Sequence, residues 1–291
     1  KEARDYFFAL LANLIEKTGI GWYRQDFNVD ALPYMRNDEA GRDGITEMAY
    51  INGLYEFLDK ILTAYPYMMI DNCAGGGNRM DIEMQRRAVT LWRSDYNCYT
   101  NYVKEGIQAA SMGSALLFPY HGTGVRVSSR DLYDIRAGYA AAADINTSDE
   151  DFVKAWEKYG EYGEDDVAVE FVRSLTPLLE KVIKEYKTVR HLYSENFAPH
   201  SAFNSDPFSW CCYEFYNDEK TESVMQVFRR SDSEQSTADY TVCGVNENYD
   251  YIVRDMDGES VIMSGKDLKT KGLRVEIKNK SESKLFYIVK K

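Results

Sequence analysis

The sequence predicts an α/β chain: a partial (β/α)8 TIM-type barrel followed by an antiparallel all-β C-terminal domain. Three observations predict this. Short apolar runs alternate with helical periodicity up to about residue 145, the pattern of parallel strands joined by right-handed crossovers. Two of these runs end on aspartates, Asp26 and Asp95, and a third ends at the cluster Gly75-Gly76-Gly77. In parallel barrels the chemistry sits at such C-terminal strand ends. After His200 the texture changes to short β-rich runs separated by turn signals. The expected division is 1–195 for the barrel portion and 196–291 for the β domain.

Each element follows from local pattern. Ala3, Phe7, Leu10, Leu11 and Leu14 recur at helical spacing over 3–17, and Gly19 and Gly21 close that helix before the strand to Asp26. A loop holding Pro33, Asn37, Asp38, Gly41 and Gly44 comes next. Met48, Ile51, Leu54, Phe57, Leu58 and Ile61 predict a helix over 46–63. Then follow a strand at 67–71, a helix at 80–87, a strand ending at Asp95, a helix at 100–112, a strand at 114–120 and a helix at 130–143. A long helix at 165–187 leads to β runs at 210–215, 223–228, 240–243, 249–253, 260–263, 273–277 and 285–289. This supplies about five strand-helix units where a closed barrel needs eight. The first three strands are therefore expected outside this chain. Its partner would be a missing N-terminal portion of the same protein, or a second copy in a homo-oligomer.

Bulk properties narrow the function. A formal net charge of −12 argues against nucleic acid or an anionic membrane as a partner. No apolar stretch is long enough to span a bilayer, and no signal-peptide pattern opens the sequence. The 23 tyrosines suit a sugar-binding surface, although Tyr more often packs ordinary cores. The five cysteines are odd in number and form no CxxC pair, which fits a reducing cytoplasmic setting better than a disulfide framework or a structural zinc site. His121, His191 and His200 are scattered through the sequence, so neither metal nor cofactor is expected.

The residues that carry chemistry lie in three phrases. Gly19 to Asn28 contains Arg24-Gln25-Asp26-Phe27-Asn28, 67–77 contains Asp71-Asn72-Cys73-Ala74-Gly75-Gly76-Gly77, and 89–96 contains Trp92-Arg93-Ser94-Asp95-Tyr96. Each has a plainer reading. Asp26 is open to a role as helix cap or loop anion, and Asp95 as cap of a following helix. The glycines resemble a phosphate cradle only superficially, because Asn78-Arg79 follows where a P-loop has Lys-Ser/Thr. Asp71 reads best as an internal salt-bridge partner. Arg79, Arg86, Arg87 and Arg93 read as neutralisers of nearby carboxylates, and His121 as a pocket-rim or packed loop residue.

Together and in this order, the phrases resemble glycoside hydrolase family 36, the α-galactosidase and raffinose synthase family. The resemblance covers nearly the whole chain. It implies that Asp26, in the family's Lys-x-Asp-x-Asn phrase, is the nucleophile, and that Asp95, in Trp-x-Ser-Asp, is the acid/base. It implies substrate contacts from Arg24, Asn28, Cys73, Gly75, Gly76 and Trp92. It further implies an oligosaccharide or glycoside substrate, a retaining mechanism and no cofactor. The sequence departs from the family in carrying Arg24 where the family has lysine, which exchanges a point charge for a planar fork. It also has Tyr96 where many members have a second Asp. Retaining chemistry requires the two carboxyl groups to stand about 5–5.5 Å apart across the glycosidic bond. Arg24 would favour the ionised form of Asp26, whereas Trp92 and the Asp26 charge would raise the pKa of Asp95. Transglycosylation by the same two residues, or sugar binding without turnover, are the alternatives.

Overall fold

The computed structural model describes residues 1–38, 41–96, 102–147 and 167–291. Cα packing divides the chain into two compact units, Lys1–Arg93 and Ser94–Lys291. The sequence boundary at 195/196 falls inside the second unit, where the antiparallel strands begin.

In the first unit, α1 (Glu2–Thr18) and α3 (Ile45–Ala64) flank the parallel pair β1 (Trp22–Asp26) and β2 (Met69–Cys73). Gly19, in the left-handed region at φ 70°, ends α1 by donating its N–H to Ile15. Leu11 and Ile15 of α1 pack with Phe57, Leu58 and Ile61 of α3, Met68 and Ile70 around β2, and Met84 and Ala88 beyond it. That core fixes which strand ends meet. α2 (Leu32–Asn37) forms where a loop is expected, with Pro33 in its first turn, where a missing N–H costs nothing. α4 (Ile82–Gln85) is shorter than the expected 80–87 and is capped by the Asp81 carboxylate on the Met84 N–H.

The expected strand ending at Asp95 is not a strand. Val89 forms a bridge with Asp71 and Thr90 is likewise a bridge residue, but the backbone through Trp92, Arg93 and Ser94 is irregular. Tight packing against the glycine turn accounts for this: a Cβ on Gly77 would lie 2.4 Å from the Arg93 carbonyl oxygen.

In the second unit, α5 (Lys104–Leu117) extends past the expected helix end and replaces the expected strand at 114–120. The strand lies later, as β3 (Gly122–Arg126). The apolar run Ala115-Leu116-Leu117 therefore closes a helix rather than opening a strand, an ambiguity inherent in short apolar runs. The expected helix 130–143 divides into α6 (Leu132–Ala137) and β4 (Ala142–Asn146), which pairs in parallel with β3. A Cβ on Gly138 would lie 2.6 Å from the Gly124 carbonyl oxygen, so glycine permits the break.

α7 (Val167–Val189) leads into a six-stranded antiparallel sheet made of β5 (Asn196–Pro199), β6 (Trp210–Tyr216), β7 (Glu222–Arg229), β9 (Asp250–Asp255), β10 (Ser260–Ser264) and β12 (Glu282–Lys290), in the order β10-β9-β12-β7-β6-β5. A two-stranded pair, β8 (Thr237–Tyr240) with β11 (Leu273–Glu276), and the short α8 (Gly265–Thr270) cover part of it. Both faces of the central strands β6 and β7 are buried. Cys211, Tyr213 and Phe215 pack toward the helices with Ile107, Met112, Val182 and Val189. Alternate residue Cys212 packs toward Val242, Leu268, Leu273 and Val275. The period of two puts Glu214 on this second face. Arg136, fully buried, joins α6 to Glu185 of α7 at 2.7 Å and to Asp257 of the β9–β10 turn at 2.6 Å.

Candidate active site

The parallel register sets Arg24 opposite Asp71 and Asp26 opposite Cys73. Arg24 and Asp26 lie on one face of β1, being two residues apart. Arg24 forms an ion pair with the Asp71 carboxylate, and its other terminal nitrogen stands 3.6 Å from Asp26. The Asp71 side chain is 3% exposed, that of Asp26 43%. The buried acid thus anchors the guanidinium, while the exposed acid faces outward at the strand's C-terminal end. Burial alone would lower the pKa of Arg24, but Asp71, Cys73 and Asp26 together hold it above the ordinary value. Asp71 also accepts the Leu91 N–H at 3.1 Å, which fixes the approach to Trp92. The expectation of a structural role for Asp71 matches this geometry.

The glycine turn closes beside Asp26. Gly75 and Gly76 have φ of 49° and 71°, a left-handed pair that glycine adopts without strain. The Asn28 side-chain oxygen accepts the Gly75 N–H at 2.6 Å, tying the end of the first phrase to the second. Burial pushes the Cys73 thiol up; Arg24 opposes this and Asp26, beside the thiol, reinforces it. Burial at the strand end thus favours the neutral form of the Cys73 thiol.

Arg79 does something other than neutralise a carboxylate. It donates to the Phe27 carbonyl at 3.2 Å and to the Cys73 carbonyl and Asn72 side chain at 3.5 Å. One guanidinium thereby staples the exits of β1 and β2, and spacing alone gave no sign of it. Arg86 and Arg87 do pair with acids, but these are Glu83 and Asp59 on helices. A cavity of about 290 Å³ behind the turn is lined by Leu32, Met35, Tyr50, Ile51, Tyr55 and Arg79, among others.

Trp92 is half-buried in the first unit; Asp95, also half-buried, belongs to the second. His121 is buried. Cys98 lies outside the described residues. Sequence separation concealed one further cluster: His200, Glu214 and Cys243 meet in the second unit, with one ligand atom from each within 4.8 Å of the others.

Residues 1–141 match the family model described as Melibiase. The chain is 22% identical over 274 residues to alpha-galactosidase AgaA of Geobacillus stearothermophilus, covering 90% of this chain and 34% of that protein. It is 24% identical over 258 residues to alpha-galactosidase 1 of Pediococcus pentosaceus, covering 85% of this chain and 32% of that protein. The chain thus spans about a third of the length of these curated relatives. Among solved structures, the GH36 alpha-galactosidase AgaA from Geobacillus stearothermophilus matches with a TM-score of 0.69 at 18% identity, over 100% of this chain and 38% of that one. A variant of the same enzyme in complex with stachyose matches with a TM-score of 0.71 at 18% identity, over 100% and 38%. In its motifs, in the Melibiase match over residues 1–141 and in its likeness in fold to these proteins, the chain is similar to the family 36 glycoside hydrolases.

Proposed function

We propose that the protein carrying this chain is a retaining, α-galactosidase-like glycoside hydrolase, with Asp26 as nucleophile and Asp95 as acid/base. The observation that carries this reading is the placement of Asp26: an exposed carboxylate at the C-terminal end of a parallel strand, with an arginine at 3.6 Å and a left-handed glycine turn beside it. In the first step the Asp26 carboxylate attacks the anomeric carbon, the bond to the leaving oxygen breaks, and Asp95 gives that oxygen its proton. In the second, Asp95 takes a proton from water, whose oxygen attacks the anomeric carbon and releases Asp26. Arg24, anchored on Asp71, sets its second terminal nitrogen 3.6 Å from the Asp26 carboxylate. Gly75 and Gly76 let backbone approach the sugar, Asn28 shapes their turn, and Trp92 and Cys73 contribute packing contacts to the ring.

The same reading takes β1, β2, the Val89 bridge, β3 and β4 as strands of a partial parallel barrel, divided at 195/196 from the antiparallel domain. The rest of the barrel would come from a preceding segment of the protein or from a second copy. The substrate is a terminal α-galactoside of an oligosaccharide. The relatives in complex with raffinose and stachyose support that class.

The test is azide rescue in the full-length protein. Asp26→Gly should lose turnover and regain it with azide, giving the β-galactosyl azide. Asp95→Gly should give the α-azide, because azide then replaces water on the glycosyl-enzyme. A mechanism-based 2-fluoro-galactoside should label the peptide that contains Asp26. Labelling of another carboxylate, or identical azide products from both variants, rejects the assignment. Product analysis with an acceptor sugar separates hydrolysis from transfer.

A further inference from the structure

Glu214 lies on β6 with its side chain wholly buried, on the sheet face opposite α5 and α7. Three elements converge on it. The Cys243 N–H donates to one carboxylate oxygen at 2.8 Å, and the Gly244 N–H to the other at 2.9 Å. The His200 Nε2 meets the first oxygen at 2.9 Å, and that side chain is 7% exposed. His200 follows β5 directly, and its own N–H is anchored on the Cys212 carbonyl at 2.9 Å. The loop after β8 comes close enough only because residue 244 is glycine: a Cβ there would lie 2.4 Å from the Tyr216 Cβ and 2.8 Å from Glu214. The Cys243 sulfur completes the group, since one donor atom each from His200, Glu214 and Cys243 lies within 4.8 Å of the others.

We propose that His200, Glu214 and Cys243 form a zinc-binding site that clasps the end of β5, β6 and the loop after β8. Nitrogen, oxygen and sulfur donors in a set of three match the preference of zinc for imidazole, carboxylate and thiolate. Zinc bond lengths of about 2.0–2.3 Å place tetrahedral ligands about 3.3–3.6 Å apart. The His200 and Glu214 donors stand 2.9 Å apart and the Cys243 sulfur lies within 4.8 Å of both, so side-chain adjustments of about 1 Å bring the three to that spacing. The carboxylate has the capacity, because its oxygens offer about four acceptor positions and the metal takes the one His200 now uses. On binding, the imidazole carries its proton on Nδ1 and turns Nε2 to the metal, and the Cys243 thiol releases its proton to solvent. The two backbone N–H donors stay on Glu214 and orient it, as outer-shell donors do around ligating carboxylates. Water fills the fourth position. The site lies outside the α-galactosidase reading and stands or falls without it.

The test uses the full chain, stripped with a chelator and titrated with zinc chloride, with cobalt(II) as a spectroscopic probe. The expected result is one equivalent of zinc bound, a rise in Tm, and a thiolate-to-cobalt charge-transfer band. Cys243→Ser and His200→Ala should each weaken zinc by about tenfold or more. Cys243→Ser should abolish the cobalt band, whereas Cys73→Ser should keep it. Cys243 is only half-buried, so its serine variant is expected to retain the wild-type far-ultraviolet circular dichroism, and Cys243→Ala provides a second check. Absence of stoichiometric zinc binding by the wild-type chain overturns the proposal. So does a cobalt band that survives in folded Cys243→Ser or Cys243→Ala.

Discussion

Arg24 and Asp71 face each other across the parallel register of β1 and β2, and their ion pair joins a buried acid to a base that reaches on to Asp26. The pair makes the electrostatics of the strand end a property of the sheet. Asp71→Asn keeps the shape but leaves the guanidinium without its buried counter-charge and weakens the acceptor for the Leu91 N–H. Breaking a buried pair costs about 3–5 kcal/mol. The 38% exposure of Arg24 lets water compensate in part, so a loss of about 1–3 kcal/mol is expected. Urea denaturation should show a lower midpoint with unchanged slope. A midpoint equal to wild type would mean that the pair contributes nothing to the fold.

The glycines should separate by mechanism. Gly77→Ala drives a methyl group against the Arg93 carbonyl, with a Cβ contact of 2.4 Å and no flexible side chain to yield. Overpacking of this kind costs about 1–3 kcal/mol, and here it also shifts the segment leading to Asp95. Gly19→Ala meets nothing within 4 Å, and its penalty is the φ of +70° alone, about 1 kcal/mol. Gly77→Ala should therefore lower Tm more than Gly19→Ala and also reduce turnover, while Gly19→Ala leaves turnover intact. Equal effects of the two on Tm would contradict the close approach at Gly77.

Acid should loosen the second unit through Asp257. Burial by itself raises that carboxyl, but the hydrogen bonds and charge of Arg136, with Lys181, bring it down to about 2 from 3.8. A carboxylate depressed in the folded state stabilises the protein fully above its unfolded pKa and loses that contribution as pH falls through the folded one. The expected window is pH 4 down to pH 2. Thermal melts across this range should fall less steeply for Asp257→Asn than for wild type, with the two slopes alike above pH 5. Parallel curves throughout would remove Asp257 as a source of acid sensitivity.

The acid/base role of Asp95 has a kinetic signature. A leaving group of low pKa departs without protonation, so Asp95→Ala should slow an α-galactoside with an alkyl or sugar leaving group by about 10²–10⁴-fold. An activated aryl α-galactoside should be affected far less in its first step. Equal losses on both substrates would reject the role.

The sequence by itself determined the elements whose signals are local. The helix over 3–17, the run into Asp26, the glycine cluster and six of the β runs after 200 are each legible because periodicity and turn residues act within a few positions, whereas the run expected at 240–243 overlaps the observed β8, Thr237–Tyr240, only at Tyr240. The order of the three motif phrases was equally legible and pointed to the family that residues 1–141 match. Tertiary structure decided whatever depends on residues far apart in the chain. The backbone before Asp95 is irregular because the Gly77 turn packs on Arg93, and the run at 115–117 closes a helix. Arg79 bonds to carbonyls rather than acids because the parallel register brings Phe27 and Cys73 beside it. His200, Glu214 and Cys243 looked scattered because they are separated by 14 and 29 positions. Antiparallel pairing and a glycine-permitted loop bring them together. Side-chain chemistry is written in the sequence, but proximity is set by the burial of apolar faces, which no single segment encodes.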